Sequence, residues 1–138
     1  MATIMNSPSV DERRRVLVVD DMNINLMVLM AKLRHMNCLC EGAETGARAL
    51  EILPVFKPDI VLTDLWMPEM NGDVLAQTIH AMTDYHHLPI FVVTADTDSG
   101  TEFDMRVFTG VLQKPIDDVR LHAVLTSAFP TAPVTPRV

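Results

Sequence analysis

Apolar residues fall along the chain in short unbroken runs, separated by longer stretches in which they recur every three or four positions. The runs are RVLVVD (15–20), CLCEGA (38–43), PDIVLTD (58–64), LPIFVVTA (88–95) and the weaker GVLQKP (110–115). Unbroken runs, rather than in–out alternation, predict strands covered on both faces, the habit of parallel sheets. Between and after them, residues 23–36, 45–54, 72–83, 99–108 and 117–128 read as helices. The fourth helix opens on a capping-box spelling, Ser99 to Glu102, and Gly110 is placed to stop it, while its polar, Gly- and Ser-containing start predicts a short or frayed helix. Strand and helix alternate throughout, which predicts an α/β fold of (βα)5 type. The expected sheet is parallel, five-stranded and doubly wound, the middle of a three-layer sandwich with right-handed crossovers. In such sheets ligands gather at the carboxyl ends of the strands.

The ends of the chain depart from this pattern. Residues 1–14 are polar and read as a disordered leader, and residues 130–138, with their prolines, read as a tail or linker. The folded domain is expected over 15–129, without internal repeats. No apolar run is long enough to span a bilayer, and no secretory signal is visible. Cys38 and Cys40 are too close in sequence to form a strand-bridging disulfide, so a reduced, cytoplasmic setting is expected. The net charge is −7, and residues 16–129 hold 7 basic against 16 acidic side chains. That balance argues against nucleic-acid binding, which needs a basic face, and suits a site that recruits a cation. None of His35, His86, His87 and His122 has acids or cysteines at a metal-ligand spacing, so they read as surface residues.

The polar residues at the predicted strand ends form a related set. Asp20 and Asp21 close the first strand, Asp64 the third, Thr94 the fourth, and Lys114–Pro115 the fifth. Singly, each reads as a helix cap or an ordinary strand end. Together they point to chemistry. Three carboxylates crowded in one crevice need a proton or a cation between them. An all-oxygen ligand set suits Mg²⁺, which takes one or two carboxylates and keeps several waters. A carboxylate nucleophile, a metal, a lysine and a hydroxyl make a phosphoryl-transfer site.

VVDD (18–21), DLWMPEMNG (64–72), TA (94–95) and KP (114–115) resemble the motifs of the receiver (response-regulator) domain of two-component phosphorelays, over about residues 15–129. The resemblance implies a flavodoxin-like sandwich in which Asp64 accepts a phosphoryl group from a phosphohistidine. It implies Mg²⁺ held by Asp20, Asp21, Asp64 and the carbonyl of Trp66. Thr94 and Lys114 would bond phosphoryl oxygens, with the backbone N–H groups of Leu65 and Ala95 completing the cradle. The Lys114–Pro115 bond would be cis. DDMNINLMVL (20–29) is similar to receivers of hybrid sensor kinases, with Asn25 in the matching place, and a stand-alone regulator is the alternative. The implied partner is a histidine kinase or a histidine phosphotransfer domain, met by a monomer that is not itself a free-standing enzyme.

Helix 23–36 carries two apolar stripes. Leu26, Leu29, Leu33 and Met36 make the core stripe, whereas Ile24, Met27, Val28 and Ala31 lie roughly opposite at ~100° per residue. The second stripe is either covered by a neighbouring segment or serves as a docking patch for the phosphodonor. The sequence also departs from the family pattern. Val111 stands where receivers carry Tyr or Phe, and the approach from Gly110 to Lys114 is short. Both argue against output or dimerisation through the last strand and its flanking helices, and leave a relay role intact. Trp66 and Asp96 occupy the positions that tune water attack on the acyl phosphate, with opposing effects. A receiver-like module that signals by contact without phosphorylation is the competing reading. A haloacid-dehalogenase-type phosphatase needs an acid where Trp66 stands, and no phosphate-binding P-loop spelling occurs.

Overall fold

The computed structural model describes residues 13–95 and 103–128. The elements are β1 (Arg15–Val19), α1 (Asn23–His35), β2 (Leu39–Ala43), α2 (Gly46–Phe56), β3 (Ile60–Asp64), α3 (Gly72–His80), β4 (Ile90–Thr94), β5 (Gly110–Gln113) and α4 (Asp118–Ala128). Short 3-10 turns lie at Thr83–Tyr85 and Met105–Val107. All strand pairs are parallel, in the order β2-β1-β3-β4-β5. The chain therefore winds one way from β1 to β2 and the other way from β1 to β3. The crevice of a doubly wound sheet opens at that reversal, between the carboxyl ends of β1 and β3.

Alternate side chains of each strand feed two cores. On one face Val16, Val18, Ile60 and Leu62 pack under α1 and α4, through Leu26, Leu29, Leu33, Leu121 and Leu125. On the other, Leu17, Val19, Val61 and Val92 pack under α2 and α3, joined by Phe103 and Phe108. The central strands are almost wholly apolar and buried on both faces, as the runs in the sequence predict, with Thr63 and Thr94 the buried polar exceptions. The core stripe of α1 is buried as expected, with Met36 partly so. Neither cysteine is in a disulfide, and no helix among the described residues is long and apolar enough to cross a membrane.

The fourth helix is the main departure. Its capping box, Ser99 to Glu102, lies outside the described residues, as do residues 1–12 of the expected leader, Asp96 and the tail (130–138). The described part forms only the 3-10 turn, capped by Asp104 accepting from the Arg106 N–H. Phe103 and Phe108 explain why. Both are buried, yet five positions in an α-helix would turn them ~140° apart. Gly110 is not a helix stop but the first residue of β5, where a Cβ would come within 2.7 Å of the Phe91 ring. Helix α2 runs past its expected end through Pro54 and closes on Lys57 in the left-handed region, φ 56°.

Candidate functional site

Asp20 follows β1 and is buried, its Oδ1 accepting from the Met22 N–H at 2.9 Å. Asp21 beside it is exposed, and Asp64 ends β3 half-buried. The three carboxylates each place an oxygen within 4.8 Å of the others. Lys114, just past β5, lies 3.8 Å from Asp64 Oδ1 and 3.9 Å from Asp20 Oδ2, close enough to pair electrostatically with both and too far to hydrogen-bond either. Its backbone N–H is held by the Thr94 carbonyl at 3.0 Å, and the Lys114–Pro115 bond is cis. Thr94 is buried at the end of β4, and Ala95 after it is exposed. The fold thus gathers Asp20, Asp21, Asp64, Thr94 and Lys114 at one end of the sheet, where the sequence places them.

Burial pushes the Asp64 carboxyl above its ordinary range, the nearby Lys114 pulls it down, and Asp20 and Asp21 push it up again. The Leu65 N–H donates to Asp64 Oδ1 at 2.9 Å and opposes the rise. One lysine against three carboxylates leaves a net negative site. Such a donor set, all oxygen and open to water at Asp21, fits a hard divalent cation.

The turn after Asp64 is closed on itself. Gly72 N–H donates to the Leu65 carbonyl at 2.8 Å, and Met67 N–H to Asn71 Oδ1 at 2.9 Å. A Cβ on Gly72 would sit 2.2 Å from the Asp64 carbonyl oxygen, so only glycine lets α3 start this close to the strand end. The turn swings Trp66 outward, where its side chain is 53% exposed.

Between α1 and the β5–α4 connection runs a cleft of about 290 Å³, with Asp20, Asp64 and Lys114 at its polar end and Asn25, Val28, Leu29, Lys32 and Ile116 among its walls. Lys32 pairs with Asp118 at 3.0 Å, linking α1 to α4. The outer stripe of α1 borders the cleft. Ile24, Met27 and Val28 are 61%, 58% and 51% exposed, Ala31 is exposed too, and no described element covers them.

Sequence reasoning passed over Asn71, Asp73 and Phe103. Asp73 is buried and accepts from the Asp104 N–H, and Phe103 touches Trp66. The Asn-Gly dipeptide marks the turn that Asn71 braces. Nothing local marks the other two, whose partners are distant in sequence. The histidines join no cluster that could hold a metal among the described residues.

The family model for the response regulator receiver domain matches residues 16–126, which include every one of these strand-end residues. Response regulator PleD of Caulobacter vibrioides is 36% identical over 118 residues, 82% of this chain and 25% of PleD. The histidine-protein kinase BarA of Escherichia coli is 30% identical over 136 residues, 95% of this chain and 15% of BarA. The chain thus spans a quarter or less of these curated relatives. The receiver domain of sensor histidine kinase PA1611 from Pseudomonas aeruginosa, solved with a magnesium ion coordinated in its active site cleft, is 23% identical. It matches with a TM-score of 0.80, over 86% of this chain and 99% of that one. By fold and by family, this chain belongs to the response regulator receiver domains, the phosphoacceptor modules of two-component signalling.

Proposed function

We propose that Asp64 is the phosphoacceptor and that the phosphoryl group comes from a phosphohistidine of a histidine kinase or histidine phosphotransfer domain. The observation that carries this reading is the meeting of Asp20, Asp21 and Asp64 within 4.8 Å, with Lys114 beside two of them. An Asp64 oxygen attacks phosphorus, the O–P bond forms as the N–P bond breaks, and the electron pair leaves with the imidazole nitrogen. Lys114 and Thr94 face the phosphoryl oxygens, and the N–H groups of Leu65 and Ala95 complete the cradle. Asp20, Asp21, Asp64 and the Trp66 carbonyl would hold Mg²⁺, which would supply positive charge to an otherwise repulsive encounter between carboxylate and phosphate.

Incubating the chain with Mg²⁺ and acetyl phosphate tests the assignment by intact mass. A gain of ~80 Da, one HPO₃, is expected in the wild type and absent in Asp64→Asn. No adduct in either would overturn the reading in favour of a phosphorylation-independent contact module.

The relay reading rests on Asn25 in the cleft wall and on the bare stripe of α1 beside it. An apolar patch next to an acceptor carboxylate suits a helical donor that must bring its histidine within bonding range. Met27→Glu with Val28→Glu should leave acetyl phosphate labelling intact and slow transfer from a phosphorylated donor at least about tenfold, since buried charge costs more than ~1.4 kcal/mol. Undiminished transfer with the fold intact removes the patch from the mechanism.

A further inference from the structure

The Trp66 and Phe103 rings meet edge to face, with centroids 4.6 Å apart and planes at 87°. Phe103 is buried in the core under α3, so the contact is anchored on its side and ends on the exposed indole. A second tie runs parallel to it. The Asp104 N–H donates to Asp73 Oδ2 at 3.1 Å, and Asp73 is buried in the first turn of α3. Asp73 follows Gly72, which is packed against the Asp64 carbonyl. The contacts therefore close a ring: Asp64, Gly72, Asp73, Asp104, Phe103, and back to Trp66, two residues from where it began. The segment that binds this ring together is the one that replaces the expected fourth helix.

We propose that Phe103 is a positioning residue for the acid cluster. By holding the Trp66 ring it fixes the peptides on either side of Trp66, and so sets how well that carbonyl and the three carboxylates bind Mg²⁺. The inference rests on the cation reading above and adds to it a residue outside the strand ends. A ligand carbonyl that is already in place loses less freedom on binding than one that must be ordered. By linkage, Mg²⁺ must in turn tighten the Trp66–Phe103 contact. Trp66 is the only tryptophan in the chain, so its emission reports that tightening directly.

The test is Mg²⁺ titration of the whole chain by calorimetry, with Trp66 emission followed in parallel. Phe103→Leu keeps apolar bulk and loses the ring edge, and should weaken Mg²⁺ binding roughly fivefold, the scale of one aromatic pair. Phe103→Tyr keeps the ring and should bind within about twofold of the wild type, on the same scale. Trp66→Leu keeps the carbonyl and, being at the surface, keeps the fold. It should match Phe103→Leu, and the double variant should be no worse than either. Should Phe103→Leu unfold, Trp66→Leu alone decides the matter. Wild-type affinity in Trp66→Leu, or losses that multiply in the double variant, overturns the inference. A wild type that binds no Mg²⁺ overturns the cation reading as well, which distinguishes the two failures.

Discussion

On the β1 flank of Asp64 stand two more carboxylates, one buried and one open to water; on the β5 flank stand an ammonium and a buried hydroxyl. The first flank repels the charge on Asp64 and has no cation of its own beyond the lysine it shares. The second attracts that charge from 3.8 Å, an ion-pair distance too long for a direct hydrogen bond. Under the proposed function the difference suits a separate visitor on each side: a metal ion at the acids, an anion at the lysine and threonine. A site with only the first flank would be a cation trap, and one with only the second an anion hole. Phosphoryl transfer onto a carboxylate needs both, because nucleophile and electrophile carry the same sign.

Stripping the acidic flank should have the largest effect. Asp20→Asn with Asp21→Asn is expected to weaken Mg²⁺ binding by at least ~100-fold, beyond what loss of an outer-shell partner costs. Calorimetry checks this, and retained affinity would mean that the acids do not form the cation site. Removing the other flank should split two properties that usually fall together. Lys114→Met should slow labelling by acetyl phosphate roughly tenfold while raising Mg²⁺ affinity severalfold, because a competing positive charge ~4 Å away is gone. A fall in both would show that Lys114 braces the acids rather than facing the phosphate.

The smallest effect is on stability. Folding raises the Asp64 carboxyl above its ordinary value, chiefly by burial. Between the ordinary and the raised value the folded chain holds a proton that the unfolded chain has released. Stability in the presence of a chelator should therefore fall as pH rises through that window, and stay lower above it. Asp64→Asn should abolish the fall and melt a few degrees higher at neutral pH. Urea unfolding at a series of pH values, compared between the two chains, decides it; parallel curves would remove the charge conflict at Asp64.

The strand ends and the loop segment behind them differ in how far the sequence discloses them. Asp20, Asp64, Thr94 and Lys114 each end a run of apolar residues, and a parallel sheet brings such ends together whatever the loops do. The proximity of these strand-end residues is therefore legible in the sequence. The same holds for the inner stripe of α1, whose leucines keep the helical period. Phe103 obeys no such rule. It lies 37 positions from Trp66 in a stretch whose capping-box spelling predicts a short helix, and Phe103 and Phe108 are both buried instead. Asp73 likewise looks like an ordinary first-turn acid, its Oδ1 taken by the Val74 N–H, and the long-range partner of its other oxygen, the Asp104 backbone N–H, comes from a distant segment. Contacts between loops depend on where both ends land, which local pattern does not encode.

The bond from Leu65 N–H to Asp64 Oδ1 has one more consequence. A carboxylate in water has two equivalent oxygens that exchange by rotation about a single bond. Here Oδ1 is held by a neighbouring amide and faces the ammonium of Lys114, so rotation is checked and the oxygens acquire different electron densities. The backbone has made a symmetric group into a directional one, with a left and a right hand. The phosphoryl group proposed to enter here would therefore meet a carboxylate whose two oxygens are already distinguished by their contacts.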